Sequence, residues 1–110
     1  MFWIVIWFSC GTDQIDSGDS ACQTRSAYQW EYFGEPFFMT YCLSCHSVAS
    51  PERFGAPEGI NFDSYDDVAA QSALIRDSVL IRQSMPKGGG VSEDDRMALK
   101  IFLDCIVDVP

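Results

Sequence analysis

The sequence Cys42-Leu43-Ser44-Cys45-His46 constrains this chain of 110 residues more than any other feature. A chain of this length buries only about two-thirds of its unfolded surface, so its core needs a disulfide, a metal or a large apolar cofactor. Further cysteines stand at Cys10, Cys22 and Cys105. The total of five is odd, so at least one cysteine has a role other than pairing within this chain.

Two stretches rich in proline and glycine, 47–61 and 85–90, divide the sequence into short segments. Neither stretch can continue a helix, because proline lacks a backbone donor and glycine maximises backbone freedom. Pro36 suits the first turn of a helix, which we expect to run over 35–45. Apolar spacing predicts a second helix over 73–84, with a buried side formed by Leu74, Ile75, Val79 and Leu80.

Two serines carry the signature of a helix N-cap. Ser64 is followed three residues later by Asp67, and Ser92 in the same way by Asp95. After the second cap, apolar residues recur at helical spacing: Leu99, Phe102, Leu103 and Ile106. No segment alternates apolar and polar residues as a half-buried strand does, so the predicted fold class is all-α.

The N-terminal segment 1–9 is apolar but too short to span a bilayer, which takes roughly twenty residues. It resembles an export signal, and Phe8-Ser9-Cys10-Gly11 resembles a lipoprotein cleavage site, although Trp7 stands where leucine is usual. We expect a signal over 1–9, a lipidated Cys10 opening a flexible tether over 10–20, and one folded domain over 21–110. The alternative is an uncleaved segment or a misplaced start.

The formal net charge is −9. Nucleic-acid binders need a basic surface to displace counterions from phosphates, so this class is excluded. An acidic protein is steered toward basic patches on its partners, and the encounter rate then depends on salt. We therefore expect protein partners with basic docking surfaces, unless the charge serves solubility alone.

The Cys42 to His46 sequence has the spacing of c-type haem attachment, in which two thiols bond the porphyrin and the next imidazole binds iron. On one helical turn, sulfurs three residues apart share a face. Three alternative roles for these residues meet obstacles in the sequence. A thioredoxin-like pair needs strands around it, zinc needs a fourth ligand that a chain with one histidine lacks nearby, and a Cys42–Cys45 disulfide is strained.

With one histidine in the chain, a methionine is the natural second axial ligand of the iron. Met1 is expected to be removed, Met39 would lie on the His46 side, and Met97 suits ordinary packing in the last helix. Met85 opens a glycine-rich loop that can approach the other face closely, so we predict Met85 as the ligand. Its alternative role is a core methionine that ends a helix.

The chain resembles the class I c-type cytochromes over nearly all of 28–109. The resemblance rests on the aromatic helix that ends in Cys42 to His46, on Met85-Pro86 with its glycines, and on the helix capped by Ser92. It departs from the family at Lys87, where many relatives have a second proline. The resemblance implies four to five short helices around one covalent haem c, with iron held by His46 and Met85.

The same resemblance implies further roles. The first and last helices would cross beside the haem at Phe37 or Phe38 and Phe102, and Arg53 and Arg82 could pair with haem propionates or serve only as solvated surface groups. A disulfide from Cys22 to Cys105 could pin the N-terminal arm, in keeping with an oxidising compartment. Alternatively, Cys22 or Cys105 is a free buried thiol.

The expected function is that of a monomeric single-electron carrier rather than an enzyme. We expect it on the periplasmic side of a bacterial membrane, anchored by lipid at Cys10. Gly11 after that cysteine favours the outer membrane. Two alternatives remain: a haem domain with an exchangeable sixth ligand, acting as sensor or peroxidase, and a fixed cytochrome subunit of a larger oxidoreductase complex.

Overall fold

A computed structural model of the protein describes residues 22–109. The predicted signal over 1–9, the lipid on Cys10 and the tether over 10–20 lie outside this range. Within it all regular structure is helical and no strand forms, which confirms the all-α prediction. None of the helices in this part of the chain is both long enough and apolar enough to cross a membrane.

Within residues 22–109 the helical segments join into five helices. Their bounds are as follows: α1, Cys22–Tyr28; α2, Trp30–Gly34 continued by Glu35–Tyr41; α3, Tyr65–Ala70; α4, Ser72–Ile75 continued by Arg76–Ile81; α5, Glu93–Phe102 continued by Leu103–Val107.

Both predicted N-caps are confirmed. The Ser64 hydroxyl accepts a hydrogen bond from the Asp67 N–H at 3.1 Å, and α3 begins at the next residue. The Ser92 hydroxyl accepts from the Asp95 N–H at 3.1 Å, and α5 begins one residue later. Each serine satisfies a backbone donor that the first helical turn would otherwise leave unpaired.

Helix α2 differs from its prediction at both ends. It starts at Trp30, because a π-helical turn precedes the segment with Pro36. In this turn the Gly34 N–H donates to the Gln29 carbonyl at 3.4 Å. It ends at Tyr41 and not at Cys45. The Phe38 carbonyl accepts the N–H groups of both Cys42 and Leu43 at 2.9 Å. The second of these hydrogen bonds departs from the regular i to i+4 pattern, so the α-helix ends here.

Helix α4 ends at Ile81, three residues before the predicted boundary. Gln83 has a φ of +53°, which no right-handed helix accommodates. The N–H groups of Ser84 and Met85 then donate to the Ser78 carbonyl at 2.8 and 3.1 Å. The chain therefore folds back onto α4 and places Met85 beside it.

Helix α5 supplies most of the core and packs against α1, α2 and α4. Leu99, Phe102 and Leu103 are fully buried. At the crossing with α2, a Cβ on Gly34 would lie 2.5 Å from the Trp30 ring and 2.9 Å from the Phe102 ring. The glycine thus lets the two helices meet.

The aromatic contacts refine the predicted crossing. Phe38 meets Phe102 at a ring separation of 6.4 Å, as expected. The Phe37 ring lies 5.3 Å from that of Phe38 and 5.0 Å from that of Tyr41. Sequence reasoning did not identify Gly34 as part of this crossing.

The predicted disulfide forms between Cys22 and Cys105, with their Cα atoms 5.4 Å apart. It joins the first turn of α1 to the buried end of α5, and Cys105 is 2 % exposed. The alternative that either cysteine is a free thiol is therefore wrong.

Candidate functional site

A cavity of about 610 Å³ lies between the Cys42 to His46 turn, the loop 47–61, α4 and the loop that begins at Met85. All four predicted site residues line it: Cys42, Cys45, His46 and Met85. Distant parts of the sequence thus meet at one space, which neither motif alone could establish.

The other methionines are placed differently. Met39 is 61 % exposed and Met97 is 60 % exposed, and neither lines the cavity. Met97 therefore does not have the packing role expected of it. Met1 lies outside the described residues. Of the methionines in 22–109, Met85 alone is half-buried at the cavity.

The Cys42 to His46 segment forms a single turn of its own after α2 has ended. The Cys42 carbonyl accepts the Cys45 N–H at 3.2 Å and the His46 N–H at 2.9 Å. This turn is short and closed, so both thiols and the imidazole face one space even though the predicted continuous helix is absent.

Both cysteines of the turn are free thiols, so they do not form the strained disulfide considered above. Burial, reinforced by the nearby Cys45, raises the pKa of the Cys42 thiol to about 12. A thioredoxin-like pair depends on a thiol with a lowered pKa. The environment of Cys42 does not favour that chemistry.

His46 is held on two sides by the segment 60–62. Its Nδ1 lies 2.8 Å from the Ile60 carbonyl oxygen, and its own carbonyl accepts the Phe62 N–H at 2.8 Å. A carbonyl oxygen can only accept, so Nδ1 carries the proton in this hydrogen bond. The Nε2 lone pair of the neutral ring is therefore available for a metal.

A carboxylate fastens the chain just after His46. The Ser47 hydroxyl donates to Asp63 Oδ1, and the Val48 N–H donates to Asp63 Oδ2 at 3.0 Å. Ser47 is buried, and its hydroxyl is satisfied by this contact. Sequence reasoning missed Asp63, because its partners lie 15 and 16 residues away in a stretch without periodicity.

Arg53 organises the loop 47–61 from within. Its guanidinium donates to four backbone carbonyls, at 2.6 Å to Pro57, 2.7 Å to Ser47, 3.2 Å to Ile60 and 3.3 Å to Ala56. Arg53 also lines the cavity. Most of its N–H groups thus donate to backbone carbonyls of this loop.

The second arginine considered for propionates has a different place. Arg82 is 61 % exposed at its side chain, pairs with Asp77 at 2.8 Å and is not part of the cavity wall. The structure therefore supports its alternative role as a surface group.

The loop that carries Met85 depends on its glycines. Gly88, Gly89 and Gly90 have φ values of +87°, +77° and +101°, a region that side chains with a Cβ rarely adopt. The preceding backbone contacts to Ser78 fix the start of the loop. Lys87, the position at which the sequence departs from the family pattern, lies in the cavity wall.

The cavity wall is largely apolar and divides into a buried and an exposed part. Phe38, Phe62 and Ile75 are buried, whereas Phe54 is 65 % and Leu74 is 41 % exposed. The prediction that Leu74 is buried is wrong, because its side of α4 faces the cavity. Exposed apolar side chains around a cavity are typical of a site for an apolar ligand.

One hydrogen bond ties the cavity wall to α5. The Tyr41 hydroxyl donates to Asp95 Oδ2 at 2.6 Å, across 54 residues of sequence. This hydrogen bond, with smaller contributions from burial and from the charge of Asp95, raises the pKa of Tyr41. Asp95 thus has a second contact besides the N-cap.

Within residues 22–109, no group of three or more His, Cys, Asp and Glu side chains is arranged to hold a metal ion. Comparisons with family models, with curated proteins and with solved structures find no significant match to this chain. The functional argument therefore rests on the cavity and its residues.

Proposed function

We propose that this protein is a c-type cytochrome domain that carries single electrons outside the cytoplasm. In this proposal Cys42 and Cys45 would bond one haem c, and His46 and Met85 would hold its iron. The observation that carries it is the convergence of these four residues on one cavity of about 610 Å³.

The cavity fits such a group in size and lining. Its volume lies within the range of roughly 300–1,000 Å³ that is common for cofactor sites. His46 and Met85 are two donors, so the remaining iron ligands would come from the cofactor, as a porphyrin supplies them. The exposed faces of Phe54 and Leu74 offer apolar contact to a ring that would bury them.

Bound haem would supply a one-electron Fe(III)/Fe(II) couple. The residues of this chain set its surroundings. The Ile60 carbonyl orients the His46 ring and fixes its tautomer, and the backbone of Ser78 holds the start of the Met85 loop. The soft thioether favours Fe(II), so we expect a relatively positive potential. One electron would come from a reduced protein partner and pass to an oxidised one, and no bond would break.

Location and partners follow from other features of the chain. The Cys22–Cys105 disulfide is stable in an oxidising compartment, which supports a place outside the cytoplasm. The net charge of −9 favours partners with basic docking surfaces and a salt-dependent encounter. We propose a monomer, anchored through lipid on Cys10 to the periplasmic side of a membrane.

The test is to produce the full chain in a bacterium that exports it and attaches haem. We expect a coloured protein whose mass includes one porphyrin, lost in the double variant Cys42→Ala, Cys45→Ala. A colourless wild-type protein without that mass would refute the proposal.

Ligation by methionine is tested by absorption of the oxidised protein. A far-red charge-transfer band should be present in the wild type and absent in Met85→Ala. Met39→Ala and Met97→Ala are matched controls, because both side chains are exposed and away from the cavity. A band that survives in Met85→Ala would refute the assignment. A wild-type protein whose iron readily exchanges its sixth ligand for an external one would support the sensor or peroxidase alternative instead.

A further inference from the structure

The carbonyl oxygen of Ile60 has two hydrogen-bond donors. His46 Nδ1 lies 2.8 Å from it, and Arg53 Nη2 lies 3.2 Å from it. A carbonyl oxygen has two lone pairs and can accept both. A cationic side chain therefore shares the acceptor that orients the candidate iron ligand.

We propose that Arg53 is a positioning residue that weakens electron donation by His46 and so raises the reduction potential of the haem iron. This inference rests on the proposed function. It assigns to Arg53 a role at the iron ligand through the Ile60 carbonyl.

The mechanism is competition for one acceptor. An arginine N–H is a charge-assisted donor and draws electron density from the oxygen that accepts it. The His46 Nδ1–H group then donates to a weaker acceptor, so its N–H bond is less polarised. A hydrogen bond at this nitrogen normally raises the basicity of a histidine ligand, so competition lowers it. A less basic imidazole stabilises Fe(III) less, and the potential rises.

The remaining contacts of Arg53 keep it in place. Its Nη1 donates to the Ser47 carbonyl at 2.7 Å, and its Nη2 also donates to the Pro57 carbonyl at 2.6 Å. Both carbonyls belong to the loop 47–61, which directly follows His46. The guanidinium is thus held at a fixed position relative to Ile60, as a tuning role requires.

The charge of Arg53 is also uncompensated within the part of the chain that the structure describes. Its partners are backbone carbonyls, whereas Arg76, Arg82 and Arg96 each pair with a carboxylate. An unpaired cation in a cavity wall disfavours Fe(III) more than an ion pair does. This effect raises the potential in the same direction as the competition.

The test compares haem-loaded, exported, full-length variants. Arg53→Met removes the donor and the charge, whereas Arg53→Lys keeps the charge but loses the planar guanidinium with its several N–H donors. Arg82→Met is a control for the loss of one surface charge. We expect Arg53→Met to shift the redox equilibrium at least threefold toward Fe(III). That is a fall of about 28 mV in midpoint potential, at about 59 mV per tenfold for one electron. Arg82→Met should change it less.

A second measurement isolates the hydrogen bond. In the reduced protein, the NMR resonance of His46 Nδ1–H should move downfield in Arg53→Met and in Arg53→Lys, because the Ile60 carbonyl becomes a stronger acceptor. Charge removal at Arg82 should leave it in place. If Arg53→Met binds no haem, Arg53→Gln takes its place as the neutral variant.

The outcomes separate the two proposals. A haem-loaded Arg53 variant whose potential and Nδ1–H resonance match those of Arg82→Met overturns this inference and leaves the proposed function intact. A wild-type protein without haem overturns the proposed function itself. A lowered potential together with a downfield Nδ1–H supports both.

Discussion

The side of the molecule around α5 and the side around the cavity are built on different principles. Around α5, Leu99, Phe102 and Leu103 are fully buried, and the chain covers its own apolar groups. Around the cavity, Phe54 is 65 % and Leu74 is 41 % exposed. The first side is complete as it stands, whereas the second presents apolar surface that a bound group would cover.

The two sides also differ in what closes them. A disulfide and interlocking aromatic rings close the α5 side. Hydrogen bonds from Arg53 and to Asp63 close the cavity side, and they fix backbone carbonyls and N–H groups at defined positions. A covalent bond and apolar contacts thus stabilise the α5 side, whereas hydrogen bonds fix the backbone around the cavity.

Removal of the disulfide should destabilise the α5 side more than any other change considered below. Replacing Cys22 and Cys105 by alanine frees a crosslink spanning 83 positions, and we expect the free energy of unfolding to fall by about 4 kcal/mol. Urea denaturation measures this loss. Reduction of the wild type should give a similar loss, and a loss below about 1 kcal/mol would contradict the assignment of stability to the α5 side.

A pair of leucines compares the two sides directly. Leu99→Ala should cost about 3 kcal/mol, because the side chain is fully buried and leaves a cavity. Leu74→Ala should cost less than about 1 kcal/mol in the haem-free protein, because that side chain is already exposed.

Under the proposed function, haem loading should narrow the difference between the two leucine variants. If the ring covers Leu74, the cost of Leu74→Ala rises in the loaded protein while that of Leu99→Ala stays the same. Thermal unfolding of both forms measures this. An equal cost of Leu74→Ala in both forms would show that the group does not cover this wall.

The helix crossing at Gly34 provides a smaller effect. Gly34→Ala places a Cβ within 3 Å of the Trp30 and Phe102 rings, and we expect a net loss of about 2 kcal/mol from overpacking. Gly59→Ala is the matched control, because nothing lies within 4 Å of its added Cβ. Urea denaturation of both variants should show a loss confined to Gly34→Ala.

The smallest expected effect concerns acid stability. Burial alone would raise the pKa of Asp104, but hydrogen bonds from Lys100 and Arg76 outweigh it and hold the pKa below its ordinary value of 3.8. A carboxyl with a lowered pKa adds stability above its unfolded pKa, and this is lost as the pH falls through the folded pKa.

Asp104→Asn should therefore destabilise the protein at pH 7 by at most about 1 kcal/mol, since the carboxylate is about one-third exposed. The difference from wild type should shrink below about pH 4 and vanish in stronger acid. Thermal unfolding across pH 2–7 measures it. Glu58→Gln, at an exposed carboxylate without an ion pair in the described residues, should show little of this dependence.

Local signals predicted much of the fold. The N-caps at Ser64 and Ser92 depend on contacts within three residues, so the sequence reveals them. Helix ends were harder to predict. The ends of α2 and α4 depend on a shared Phe38 carbonyl and on a left-handed Gln83, and neither follows from periodicity.

The candidate site was predicted in its chemical groups but not in its supports. Cys42, Cys45 and His46 are recognisable because their spacing is local, and Met85 because glycines follow it. Arg53 was considered as a partner of haem propionates or as a surface group, and the structure shows that its guanidinium binds backbone carbonyls of the loop 47–61. Asp63 was missed altogether, since no composition rule connects it to Ser47.

By itself, the sequence determined the helical class, the spacing of two thiols and one imidazole, and the glycine loop after Met85. These depend on neighbours within a few residues, where backbone geometry and capping decide the outcome. Only the tertiary structure decided that His46 and Met85 share one cavity, that Gly34 lies at the helix crossing, and that one carbonyl serves both His46 and Arg53. Such contacts form between segments that meet only when the whole core packs, so no local pattern encodes them.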